Sequence, residues 1–288
     1  MPLRRRTPAA PRPDAGGDGD GVDRTRRRVA DLRDRDWTLP AALVGDRPPV
    51  ATRLGVEDSA RTAVVDGRGA VSPAPGGVTI DWAVGADDRW YVAATEAGVE
   101  QVRLDHAPIV ETRMRVPGGH IVHRVHVGRG PSFPGDDEWV VIEVENASAL
   151  PVALAWLVRP WTPDGISRVP EVRVAPRGDG GGPWAVWTDE LVAVLPRRPS
   201  RWAGTAADPV GTDDAPGAPR GPEDAPRDPL GTVVAGDASA TWPPDDGALR
   251  VTDADGLASV ALLVPVPHTA RASLVLPRGV TDPGPIGW

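Results

Sequence analysis

No cysteine and no lysine occur anywhere in the 288 residues. The first absence excludes disulfide frameworks, cysteine zinc sites and thiol nucleophiles. The second leaves arginine as the only basic side chain apart from histidine, 32 in number against 40 carboxylates, a bias that a GC-rich genome explains without any functional cause. Tyrosine and phenylalanine occur once each. No apolar run approaches the roughly 18 residues that a membrane-spanning helix needs. The start, MPLRRRTPAAPRPDAGG, carries arginines with no apolar stretch behind them, unlike a secretory leader. These features lead us to expect a cytoplasmic protein without membrane contact. The net charge of −8 also argues against a nucleic-acid partner, because phosphate binding needs a basic face.

What the chain has in quantity is turn-forming residues, 33 glycines and 34 prolines. They favour many short strands over long helices. Residues 1–35 hold little to bury and ten arginines against six aspartates. They read as a disordered basic tail with room for one short helix near Val22, Val29 and Leu32. From about residue 50, apolar stretches such as VTIDWAV, IVETRMRV, HIVHRVHV, EWVVIEVEN, PVALAWLVRP and ASVALLVPV alternate with turn signals such as PGG and PRGDGGGP. That pattern predicts an all-β fold, a large antiparallel β-sandwich over 36–204 and 231–280. Residues 205–230, poor in large apolar side chains and rich in Pro, Asp and Ala, read as a disordered acidic insertion within that one domain, with strand-like segments resuming at GTVVAG. Residues 281–288 form a C-terminal tail.

Three of five histidines fall in VPGGHIVHRVHV, at His120, His123 and His126. In a strand, side chains alternate between faces, so His120 and His126 share a face about 20 Å apart and His123 points the other way. No metal held at about 2 Å from each imidazole can join such a set, and we expect neither a metal nor a cofactor. The hairpin reading puts Val110, Thr112, Met114, Val116, Ile121, His123, Val125 and Val127 on one buried face. Glu111, Arg113, Arg115, His120, Arg124 and His126 then form a polar face, of which His120, Arg124 and His126 are candidates for a docking surface.

Nucleophile elbows and phosphate-binding loops are missing. Carboxylates are plentiful, and Asp87 and Asp88 sit together in the probable loop GADDRW. Glu143 and Glu145 alternate with valine and isoleucine, which places them on the outside of a strand. Eleven of the thirteen aromatic residues are tryptophan. Indole faces stack on sugar rings as readily as they fill cores. Trp82, Asp87, Asp88, Arg89 and Trp90 are therefore the candidate carbohydrate-binding residues, with Trp90 expected to be exposed.

The segments DWAVGADDRW, VETRMRVPGG, VENASALPVAL and VPHTA resemble the N-terminal β-sandwich region of actinobacterial glycogen-debranching amylo-α-1,6-glucosidases and glucoamylase-like proteins, across roughly residues 50–280. The resemblance implies a supersandwich-like domain that precedes a catalytic (α/α)6 barrel. The chain stops at DPGPIGW, about where that barrel would begin, so no catalytic residue is carried over. The implied function is a non-catalytic accessory or docking module for α-glucan or oligosaccharide processing, from a truncated or split gene. Its implied partners are a helical glycosidase domain or subunit and a glucan, and a docking role calls for an exposed apolar patch. Two alternatives stay open: a stand-alone glycoside hydrolase using Asp87 and Asp88, and a structural interaction protein with no carbohydrate role.

Overall fold

The computed structural model describes residues 51–59, 61–74, 77–104, 107–129, 138–177, 182–205, 228–243, 248–254 and 256–278. The expected tails over 1–35 and 281–288, and most of the expected insertion, lie outside the described residues.

The first half of the fold contains Ala51–Gly55 (β1), Thr62–Asp66 (β2), Val71–Ser72 (β3), Thr79–Gly85 (β4), Trp90–Val92 (β5), Val99–Arg103 (β6), Ile109–Val116 (β7), Gly119–Arg129 (β8), Glu138–Ser148 (β9) and Val152–Arg159 (β10). The second half contains Trp161–Thr162 (β11), Gly165–Ile166 (β12), Glu171–Pro176 (β13), Trp184–Trp187 (β14), Val192–Leu195 (β15), Arg201–Gly204 (β16), the short helix Pro229–Val234 (α1), Leu249–Thr252 (β17), Val260–Val266 (β18) and Arg271–Arg278 (β19). The expected all-β architecture is present. One sheet runs β1-β2-β3-β4-β10-β18-β16 with β5 added beside β4, and the second runs β17-β13-β14-β15-β19-β9-β8-β7-β6. Paired strands are antiparallel throughout both sheets.

The two sheets share one continuous apolar core. Ile80, Trp82, Trp156, Val158, Leu262 and Val264 from the first meet Met114, Ile121, Val125, Ile142, Val144 and Leu274 from the second. Alternation explains the second sheet: in β8, Ile121, His123, Val125 and Val127 are buried while His120 is exposed and Arg124 half-buried. Strand β4 is buried on both faces except at Gly85. Its outward-facing Ala83, together with Ala155 and Leu157 of β10, lies under Leu230 and Val233 of α1. This is why VALAWLV reads as a continuous apolar run rather than an alternating one.

Helix α1 corrects two expectations. GTVVAG, read as a strand from its valines, contributes the last turn of a helix that starts with Pro229 in its first turn and buries Leu230 and Val233. Proline pre-sets the helical φ there, and spacing of three residues puts both apolar side chains on one face. The insertion expected over 205–230 is also narrower, because Thr205 and Asp228 to Leu230 belong to the fold. Ser259 donates its backbone N–H to Thr205 Oγ1 at 2.9 Å. Asp228 receives both terminal nitrogens of the buried Arg159, at 3.0 and 3.3 Å.

The β7–β8 hairpin has the faces the sequence predicted, and the structure fixes the register, which alternation left open. Thr112 lies opposite His123, Met114 opposite Ile121, and Arg115 opposite His120. The PGG turn needs its glycines: Gly118 has φ +75°, and a Cβ at Gly119 would stand 2.5 Å from the Ala147 carbonyl oxygen.

Candidate functional site: a groove at one end of the sandwich

Four turns gather at one end of the sandwich: β4–β5, β7–β8, β9–β10 and β18–β19. Their proximity follows from the strand registers, in which Gly85 pairs with Ala153, Val152 with Val266, and Gly119 with Ser148. Asn146 ties two of these turns together, β9–β10 and β18–β19. Its Nδ2 donates to the carbonyls of Leu150 at 2.8 Å, Val266 at 3.0 Å and Pro267 at 3.2 Å, while its Oδ1 accepts from Ser148 N at 3.0 Å and Ser148 Oγ at 2.7 Å. The His268 Nδ1 also hydrogen-bonds the Ser148 carbonyl, and Ala149 donates its backbone N–H to the Gly118 carbonyl at 3.2 Å. The segments VENASALP and VPHTA, distant in sequence, thus interlock as a brace for the β7–β8 turn.

Between that turn and the β4–β5 region lies a groove of about 630 Å³, lined among others by Arg89, Tyr91, Glu96, Arg115, Gly118 and His120. Its volume falls within the roughly 300–1,000 Å³ of small-molecule sites. One wall is a rigid polar cluster. Arg89 donates through Nη1 to Glu96 Oε1 at 2.5 Å and through Nη2 to Glu96 Oε2 at 3.1 Å, and Nη1 also reaches the Trp90 carbonyl at 3.1 Å. Its guanidinium stacks 3.8 Å above the Tyr91 ring. Tyr91 Oη donates to Asp88 Oδ2 at 2.7 Å, and this bond raises the phenol above its usual value. Hydrogen bonding to Glu96 likewise raises Arg89 and keeps it charged. Nε and one Nη2 hydrogen of Arg89 remain free to donate. The other wall is the β7–β8 turn, where Arg115 and His120, both exposed, are directly opposed across the strands.

The structure thus brings together parts of two separate expectations, the GADDRW loop and the start of HIVHRVHV. Arg89 and His120 line the groove, and Asp88 orients Tyr91 from behind. Asp87 is exposed at the loop tip and does not line it. Trp82 is a correction: it is fully buried, stacked on His123, and donates Nε1–H to the Arg68 carbonyl at 3.1 Å, so no ligand reaches its ring in this structure. Trp90 is half-buried rather than exposed, since its ring covers the face of Gly85, where an added Cβ would approach it to 3.0 Å. Tyr91, Glu96 and Arg115 were missed as site residues. Nothing local in the sequence signals that Glu96, in the turn that follows, chelates Arg89.

His120, Arg124 and His126 do share the outer face of β8, spread along it as strand geometry requires. Arg124 is already spent there. It reaches Glu111 Oε2 at 2.7 Å and Glu145 Oε2 at 2.6 Å, and Arg271 also bridges Glu143 and Glu145 at 3.3 Å each. Burial alone would raise the Glu111 carboxyl, but Arg124 and Arg113 outweigh it and hold the group below its usual value. Burial pushes His126 down, against the pull of Glu143. The apolar patch expected of a docking domain is not found among the described residues. Val102, Leu150, Ile166 and Val234 are the exposed large apolar side chains there, and they sit on four separate elements.

No group of three or more metal-ligating side chains gathers among the described residues. No helix among them is long and apolar enough to cross a membrane. In comparisons with known proteins, no family model matches the chain and no curated protein matches it.

Proposed function

We propose that this chain is a non-catalytic β-sandwich module that holds an α-glucan or related oligosaccharide in the groove between the β4–β5 region and the β7–β8 turn, as an accessory to a helical glycosidase domain. The observation that carries this reading is the groove itself, of ligand size and walled by the Arg89 guanidinium, which Glu96 holds in place with Nε and one Nη2 hydrogen left to donate. A saccharide needs such fixed polar groups, because each hydroxyl it gives up to the protein must find a partner.

Hydrolysis needs two carboxyl groups roughly 5 to 10 Å apart across a cleft. Glu96 is the carboxylate among the groove's lining residues, and its oxygens are both committed to Arg89. Asp88 is committed to the Tyr91 hydroxyl. This favours holding a sugar over cleaving one. Calorimetric titration of the full chain with maltooligosaccharides tests the proposal. Saturable binding that falls at least tenfold in Glu96→Ala supports it, and absence of binding to every glucan and oligosaccharide tried overturns it.

A further inference from the structure

We infer that the groove selects a saccharide carrying an anionic substituent, a carboxylate or a phosphate, and that Arg115 is the residue that reads it. This rests on the proposal that the groove holds a saccharide and specifies which kind.

The inference follows from which charges in and around the groove are neutralised. On the outer face of the second sheet, Arg113 pairs with Glu111 at 2.6 Å, Arg124 with Glu111 and Glu145, and Arg271 with Glu143 and Glu145. Arg89, on the far wall, is chelated by Glu96. Arg115, at the groove end of this face, has no carboxylate partner among the described residues, in contrast to its neighbours Arg113 and Arg124. An acidic chain, with eight more carboxylates than arginines, thus has a guanidinium at a groove wall with no carboxylate partner among the described residues. Its planar fork is matched to two oxygens of a carboxylate or phosphate.

The surroundings allow an anion to approach. His120 lies directly across the strand pair from Arg115, a position that puts the two Cβ atoms about 5 Å apart and lets both side chains reach one group. Gly98, Gly118 and Gly119 line the same groove. A Cβ added at Gly98 would meet nothing within 4 Å, so that part of the wall is open space rather than packed protein. The far wall, with the Arg89–Glu96 pair closed on itself, offers hydrogen bonds without net charge. A ligand with a neutral body and one anionic substituent fits both walls.

The test uses the full chain and three ligands of one frame: maltotriose, its 6-phosphate, and the analogue whose terminal residue is a glucuronate. At least tenfold tighter binding of one or both anionic ligands than of maltotriose is expected, with the two arms distinguishing phosphate from carboxylate. Arg115→Ala should remove that preference by lowering the affinity for the anionic ligands at least tenfold more than that for maltotriose, and Arg115→Lys should restore part of it. Equal affinity for all three ligands, or a preference that survives Arg115→Ala, overturns the inference and leaves the proposed function standing. No binding of any of the three overturns both.

Discussion

The indole of Trp82 and the imidazole of His123 lie stacked, ring centroids 4.9 Å apart and planes 11° from parallel, and the pair joins one sheet to the other at the centre of the core. Trp156, opposite Trp82 in the register, closes on the same imidazole at 6.4 Å. His123, which strand alternation placed on the buried face, is thus a packing element. Its Nδ1 is buried without a hydrogen-bond partner, a costly state that its aromatic surroundings tolerate only while the ring is neutral.

Acid should therefore unfold the protein partly through His123. Burial lowers this group from 6.5 to about 3. Between those values the unfolded chain binds a proton that the folded chain refuses. Stability is then fully present above the unfolded value and lost as pH falls toward the folded one, at about 1.4 kcal/mol per pH unit. Urea denaturation across pH 4 to 7 should show a smaller slope in His123→Phe than in the parent chain. Equal slopes would show that His123 contributes nothing to the pH dependence.

Gly69→Ala should be among the most damaging single substitutions. The residue has φ +84°, and a Cβ there would lie 2.9 Å from Trp82 Nε1, 3.0 Å from Thr112 Oγ1 and 3.2 Å from His123 Nδ1. Backbone strain and overpacking together should cost on the order of 3 kcal/mol. Denaturant midpoints measure this, and a loss under about 1 kcal/mol would mean that the turn relaxes around the new methyl group.

Arg159→Met should cost about 3–5 kcal/mol, because it leaves Asp228 buried without its guanidinium. Replacing Asp228 by Leu at the same time should recover only part of that loss, because Arg159 Nε also stands 3.8 Å from the fully buried Asp81, which the second change leaves without that cation. The double-mutant cycle in chemical denaturation checks both statements.

The strands were legible where one face met the core and the other met water or charge. The two faces of the β7–β8 hairpin follow from alternation alone, whereas the partner of each residue, such as Thr112 opposite His123, does not. Strands of two to five residues, such as β3, β5, β11 and β16, carry too few positions to show a period, and α1 is helical through its packing on the first sheet despite two valines. Half of the groove was legible, since GADDRW and the first histidine of the cluster both reach it. The rest was not, because the pairing of Arg89 with Glu96 depends on how the chain turns back after β5, and the approach of Arg115 on how turns from the two sheets meet.

Asn146→Ala should weaken ligand binding although Asn146 does not line the groove. The substitution removes the donor to three carbonyls and the acceptor for Ser148. A stability loss of roughly 2–3 kcal/mol is expected from the unsatisfied groups, with a lower affinity for maltooligosaccharides measured at a temperature where the variant is still folded. Unchanged affinity would separate the brace from the groove.

The most direct measurement of where a saccharide sits is backbone amide hydrogen exchange of the full chain with and without saturating maltoheptaose. Slowed exchange confined to residues 86–98 and 115–120 is the expected result. Slowed exchange elsewhere, for example along the outer face at Arg124 and His126, or no change at the groove under saturating ligand, would contradict it.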